Sequence, residues 1–400
     1  MAERVKGVRD FLGKEAVARQ ATLDKIKESF SIFGFEPVET PVLEYLSLFT
    51  GKSGQEIESQ LYSFSDKKGE KLALRPEHTI SKLRVISTNK SLPKPFKGYS
   101  IGNVWRYEDT AKGRYREFIQ ADIDVYGSSE VAYDAEVLAC IDFTLKRLGI
   151  IGYKIHVNNR KILQDMLDSL EVPFDTGLQV LRELDKIDKV GKEKVLVNIS
   201  ALIGKDKAEG IEKFIDGSNK VGGKGKSETD ELMRYLKEYG IDNAVVDNAL
   251  VRGLAYYDGN IFEFIMDGVN YGTIASGGRY DRLSNNFEVE MPMVGCSIGF
   301  ERVMDIILSN SKNDEFTEQY CVLNVDNPEM ALKIVQRLRS KNVKSDILLG
   351  DYSLSKGLDY CNSKKIRYAI IVGNRDLKLG DVTLRDLLKK EEKKIKIEEL

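Results

Sequence analysis

Histidine is almost missing from this chain: His78 and His156 are the two present in 400 residues. That scarcity removes most readings that depend on a Ser-His or Cys-His couple or a multi-histidine metal site, leaving carboxylates, arginines and main chain for the chemistry. Cysteine is nearly as scarce. Cys140, Cys296, Cys321 and Cys361 stand far apart with no C-x-x-C pair, so neither zinc nor a redox dithiol is expected, and a reducing, cytoplasmic interior is the simplest setting. No stretch approaches the roughly 18 to 20 apolar residues that span a bilayer, and MAERVKGVRD lacks the basic-then-apolar run of a signal peptide. Charge of one sign is lacking too. With 61 basic and 63 acidic side chains the formal charge is -2, so a polyanion would have to be met by local patches.

What remains is ample: an apolar content of 42% over this length supports two or three domains, each with its own core. From Arg19 to Phe33 the apolar residues follow a helical period, closed by Gly34 before the extended FEPVETPVLE, where Pro37 and Pro41 mark an edge or interface strand. Between Tyr62 and Val125 short strands and turns alternate (LYSFSD, KLALRP, FKGYSIGNVWRYED, REFIQADIDVYG), which predicts an antiparallel sheet. A helix from about Tyr133 to Leu148 and the strand YKIHVNN follow.

Residues 161–239 read as mainly helical, an inserted subdomain carrying a flexible GGKGKSETD stretch from Gly222. Strand character returns in ALVRGLAYYDGNIFEFIMDG and NYGTIASGGRYD, and a helix at about Phe300 to Ser309 follows the small-residue run VGCSIG. SNSKNDEFTE reads as a linker. Beyond it strands and helices alternate, as in a small α/β domain with a largely parallel sheet, and KKEEKKIKIEEL holds either one last strand or a solvated charge run. The partition expected is 1–160 with 240–312, an insertion at 161–239, and 318–400.

Three clusters carry possible chemistry. VWRYEDTAKGRYREFIQ gathers Arg106, Glu108, Arg114, Arg116 and Phe118 around a Gly113 turn, suited to phosphate oxygens and a purine ring, or else to a solvated hairpin with cross-strand charge pairs. RGLAYYDG and ASGGRYD place Arg252 beside Tyr256 and Tyr257 and set two glycines in a strand, which marks close approach of a ligand or of another backbone, a bulged sheet core being the alternative. GFER ends at Arg302 on a helix start, where an arginine alone is more often a surface residue.

Taken in order, these segments resemble the class II aminoacyl-tRNA synthetases: GFEPVETP with Pro41, the hairpin with Arg106, and GFER with Arg302 are similar to that class's three motifs. LVRGLAYY and ASGGRYD resemble motifs peculiar to the histidyl-tRNA synthetase family, and LRPEHT resembles its segment that meets the substrate amino group. The likeness spans roughly residues 4 to 390. It implies an α+β fold: a class II antiparallel sheet flanked by helices, with the inserted helical subdomain and a C-terminal α/β anticodon-binding domain. It further implies histidine–tRNA ligase activity in a cytoplasmic homodimer, built through the Pro41 segment, that uses ATP, Mg²⁺, L-histidine and tRNA(His).

By the same resemblance Arg106 and Arg252 are the catalytic pair at the α-phosphate, and Arg114 and Arg302 meet the β- and γ-phosphates. Glu108 accepts from the adenine amino group and Phe118 stacks under the ring. Glu77 and Thr79 hold the substrate ammonium, with His78 as their neighbour in that segment. Gln120 holds the carboxylate, Asp124 and Tyr257 the imidazole, and Tyr256 lines the same pocket with Arg252. Magnesium is expected without dedicated protein ligands. Lys356, Lys364 and Lys365 either contact tRNA phosphates or form an ordinary charged helix face. Ala255 and Asp124 depart from the Asp and Glu that many members carry there. His156 reads as structural. A regulatory paralogue that does not aminoacylate is opposed by the four arginines, and a synthetase for threonine or proline by RGLAYY and ASGGRYD.

Overall fold

The computed structural model describes residues 2–51, 55–110, 113–219, 221–252, 256–266, 272–310, 316–350 and 352–400, the side chains of residues 55, 56 and 188 excepted. They form two compact units, residues 1–310 and 311–400.

Sixteen strands are found among the described residues. In the first unit they are β1 (Glu36–Pro37), β2 (Leu43–Tyr45), β3 (Ser63–Ser65), β4 (Lys71–Leu74), β5 (Phe96–Trp105), β6 (Glu117–Tyr126), β7 (Tyr153–Asn159), β8 (Ala244–Val246), β9 (Asn260–Met266), β10 (Thr273–Arg279) and β11 (Met293–Gly299). Eight of them make one sheet in the order β1-β5-β6-β11-β10-β9-β7-β8. Its six inner strands pair antiparallel, and only the short edges β1 and β8 run parallel to their neighbours. Pro37 thus sits where a missing amide costs little, at the sheet edge. β2, β4 and β3 form a separate small sheet.

Alternation decides what each face of the large sheet does. Ala121, Ile123 and Val125 of β6, Phe262 and Phe264 of β9, and Val294 and Ile298 of β11 point into one apolar core. Helices Gly13–Ile32, Val131–Arg147, Lys224–Glu238 and Phe300–Asn310 cover that face, contributing Ile26, Leu138, Leu232 and Val303 among others. The intervening residues of the same strands, among them Gln120, Asp122, Asp124 and Glu263, are left on the opposite face.

Three expectations need correcting. Between Tyr62 and Val125 the chain is not all strand: Thr79–Thr88 is a helix, because the Glu77 carboxylate accepts from the amides of Thr79 and Ile80 and so satisfies two of its free donors. The stretch at Gly222 is not flexible throughout. From Lys224 it belongs to a helix whose Gly225, Thr229, Leu232 and Leu236 are buried, and Thr229 donates back to the Gly225 carbonyl at 3.0 Å. Among the described residues of ALVRGLAYYDGNIFEFIMDG only Asn260–Met266 is strand; further back Asp258 accepts from the amides of Asp281 and Arg282 at 3.1 and 2.7 Å, fixing a turn instead.

The second unit has β12 (Thr317–Asn324), β13 (Ser345–Leu348), β14 (Ile366–Val372), β15 (Asp381–Asp386) and β16 (Glu391–Lys396) in the order β13-β12-β14-β15-β16. β12, β13 and β14 are parallel, whereas β15 and β16 are antiparallel, so the sheet is mixed where a largely parallel one was expected. Helices Pro328–Ser340 and Leu354–Ser363 alternate with the parallel strands. Asn327 starts the first by accepting from Met330 N at 3.0 Å, with Pro328 at the position that needs no donor. The charge run at the chain end carries β16.

Candidate active site

Over the polar face of the large sheet lies a cavity of about 600 Å³. Down β6 its wall is Phe118, Gln120, Asp122 and Asp124, residues two apart and therefore side by side at intervals of about 7 Å. β11 supplies Gly295, Ser297 and Gly299, the register partners of Asp124, Asp122 and Gln120. The wall is completed by Glu77, Thr79, Arg106, Glu108, Arg114, Arg252, Tyr256, Tyr257 and Arg302, and the lining includes Leu184, Ile187 and Lys189 of helices Phe174–Leu184 and Ile187–Val190. The structure therefore gathers nearly every expected site residue around one space.

At the cationic end, Arg106 Nε donates to the Pro76 carbonyl at 2.9 Å and its guanidinium lies 5.3 Å from the Phe118 ring centroid. Arg252 is gripped from two sides: Nη1 donates to Glu263 Oε1 at 2.6 Å, and the guanidinium lies 5.5 Å from the Tyr257 ring. Burial works against its charge, but Tyr257 and Glu263 overcome that and raise its pKa further. Glu263 is held in turn by the Thr273 hydroxyl at 2.7 Å. Arg302 donates to the Thr273 carbonyl, and burial followed by the nearby Arg114 charge lowers its pKa. Arg302 with the Arg114 charge nearby is suited to a ligand of several negative charges. Arg9 lies 3.4 Å from the Tyr115 ring centroid and pairs with Glu301, which also binds Arg19, so the residues ahead of the first helix brace the hairpin that carries Arg106 and Arg114.

At the other end the Asp124 carboxylate accepts from Lys82 Nζ and from the Tyr280 hydroxyl, all three deeply buried. Gly295 is required beside it, since a Cβ there would lie 2.0 Å from Asp124 Oδ1. Tyr256, Tyr257 and Tyr280 cluster with ring centroids 4.8, 5.7 and 6.1 Å apart. The paired glycines of ASGGRYD admit protein rather than ligand: a Cβ at Gly277 would meet the Gly295 carbonyl at 2.0 Å, and one at Gly278 the Asn260 carbonyl at 2.7 Å. Arg279 of that motif is turned into an ion pair with Asp134.

His78 is not brought to the cavity. It packs against Gly102, its Nε2 3.3 Å from that carbonyl, and burial with Arg75 and Lys82 lowers its pKa to about 3. It is neutral when folded. Because that folded value lies below the ordinary 6.5, its contribution to stability is complete above pH 6.5 and drains as pH falls toward 3. Replacing His78 with Asn is expected to spare about 2 kcal/mol of the loss in unfolding free energy between pH 7 and pH 5, measured by urea denaturation. Equal losses in both proteins would refute it.

Sequence reading missed Lys82, Asp122, Glu263 and Tyr280. Asp122 and Glu263 carry a visible signal, a charge at a polar position of an otherwise apolar strand; Lys82 sits on an ordinary-looking helix and carries none. Pro41 is exposed next to the small sheet, where Val42, Leu43, Tyr45 and Phe64 are exposed as well. His156 Nδ1 lies 2.8 Å from Asp247 Oδ2. Ala255 lies outside the described residues. In the second unit Lys364 approaches Asp346 at 3.3 Å. No helix among the described residues is long and apolar enough to cross a membrane.

Residues 7–303 match the family model described as histidyl-tRNA synthetase, and residues 306–400 that of an anticodon binding domain. The histidine–tRNA ligase of Pyrococcus abyssi is 38% identical over 97% of this chain and 95% of its own length. That of Wolinella succinogenes is 35% identical over 96% and 93%. The crystal structure of histidyl-tRNA synthetase from Nostoc sp. PCC 7120 superposes with a TM-score of 0.84 at 26% identity, covering 99% of this chain and 98% of that one. A Bacillus halodurans protein titled ATP phosphoribosyltransferase regulatory subunit/histidyl-tRNA synthetase shares the fold, with a TM-score of 0.74 at 21% identity over 93% of this chain and 98% of its own.

Proposed function

The chain belongs to the histidyl-tRNA synthetase family, and from that premise we propose that it activates L-histidine with ATP and passes the histidine to the 3′ end of tRNA(His). The observation that carries this reading is a single cavity with four arginines at one end and buried carboxylates with a tyrosine cluster at the other. A triphosphate suits the first and a cationic, hydrogen-bonding amino acid the second.

In the first step the histidine carboxylate, ionised at neutral pH, attacks the α-phosphate and expels pyrophosphate, so no general base is needed. The work of the protein is alignment and charge neutralisation. Arg106 and Arg252 flank the α-phosphate, while Arg114 and Arg302 take the β- and γ-phosphates. Glu108 accepts from the adenine amino group and Phe118 lies against the ring. Glu77 and Thr79 meet the ammonium, Gln120 the carboxylate, and Asp124 with Tyr256 and Tyr257 the imidazole. The described residues include no group of three His, Cys, Asp or Glu arranged to hold a metal. When bound with the nucleotide, Mg²⁺ would screen charge at the phosphates, with the wall carboxylates Glu108 and Glu263 available to it.

Residues 1–160 with 240–312 form the catalytic domain, 161–239 an insertion beside it, and 318–400 the anticodon-binding domain. The exposed apolar residues around Pro41 supply the contact of a homodimer, and the setting is cytoplasmic. ATP–pyrophosphate exchange, run with each proteinogenic amino acid in turn, is expected to depend on histidine alone. Exchange with another amino acid would overturn the substrate; none at all in folded protein would favour a regulatory role.

A further inference from the structure

Asp122 is a wall carboxylate that the substrate roles above leave unused. Its side chain is 4% exposed, it lines the cavity, and its Oδ1 has no hydrogen-bond partner among the described residues. Its neighbours are otherwise committed. Asp124, one strand step away, is bound by both Lys82 and Tyr280. Each Glu77 oxygen accepts one main-chain amide and keeps a lone pair for a further donor. Arg75 donates to the carbonyls of Asn103 and Thr40, and Arg106 to that of Pro76. A buried carboxylate oxygen without a donor is costly, and a donor arriving with the ligand removes that cost.

We propose that Asp122, together with Glu77, receives the α-ammonium group of the amino acid and is the residue by which the site demands an amino group. The assignment rests on the reading of the site as a histidine-activating centre. Asp122 lies between Gln120, on the side of the arginines, and Asp124, on the side of the tyrosines, which is where the α-carbon of a substrate bridging the two ends must lie. The Glu77 carboxyl, raised first by burial, is raised further by the charge of Asp122, so the two face a common space that a cation would neutralise. The tyrosine cluster adjoins Asp124, not Asp122, and that leaves the imidazole to the deeper position.

The test uses two inhibitors of histidine-dependent exchange: histidinol, which keeps the ammonium but lacks the carboxylate, and imidazolepropionic acid, which keeps the carboxylate but lacks the ammonium. Wild-type exchange is measured first. Asp122→Asn is expected to weaken histidinol by at least about tenfold while leaving imidazolepropionic acid unchanged or tighter. Asp122→Ser, small enough for the same space, is measured alongside so that misfolding of one variant does not remove the test. Equal weakening of both inhibitors, or of neither, in a protein whose wild type exchanges normally would overturn this assignment alone. Absence of histidine-dependent exchange in the wild type would overturn the reading of the site and the assignment with it.

Discussion

Arg252→Ala is expected to slow histidine-dependent ATP–pyrophosphate exchange by about 10²- to 10³-fold, the usual consequence of removing one preorganised donor from developing charge. Three features of its setting make the effect that large. The side chain is only 15% exposed, so its field at the proposed α-phosphate position is weakly screened by water. Glu263 and the Tyr257 face fix its orientation before substrate arrives, and Thr273 fixes Glu263. Among the described residues the wall cation Arg302 is tied to the Thr273 carbonyl and is therefore not free to replace it. The loss should fall mainly on the rate, with the KM for ATP and histidine changing less, because the interaction strengthens as the phosphorus is attacked. Exchange within a few-fold of wild type would remove Arg252 from the proposed chemistry.

The largest effect on stability is expected at Lys82. Its ammonium is wholly buried and balances Asp124, with Asp122 also within its field. Lys82→Met strands buried carboxylates without their counter-charge, which typically costs about 3 to 5 kcal/mol. Urea unfolding of the variant at neutral pH checks this. Adding Asp124→Asn to the same chain removes the stranded charge and should recover much of the loss, because the two residues form one interaction. Unfolding curves for the single and double variants that are displaced equally would show that Lys82 packs without neutralising.

These two residues also mark how far the sequence can be read. Arg252 stands in a segment whose neighbours, Tyr256 and Tyr257, already suggest a pocket, and its spacing from Arg106 and Arg302 fits a family pattern. The polar face of β6 was legible for the same reason that its core face was: Gln120, Asp122 and Asp124 alternate with Ala121, Ile123 and Val125. Lys82 was not legible, because its burial depends on the helix Thr79–Thr88 lying over the sheet, and that helix was hidden among strand-like segments. His78 stands between Glu77 and Thr79 in the sequence, yet successive residues at a helix start point in different directions, and it faces Gly102. The Gly222 stretch looked loose because glycine, lysine and serine are polar or small; the helix it enters buries only every third or fourth residue, too sparse a pattern to outweigh that composition.

The neighbouring charges of Arg114 and Arg302 have a consequence for nucleotide choice. A monophosphate reaching the α-position would leave their mutual repulsion standing, and a triphosphate bending toward them removes it. On the proposed reading the pair acts as a counter of phosphates: a nucleotide long enough to reach both arginines gains contacts that AMP cannot make, which would separate ATP from AMP without reading anything more of the base or sugar.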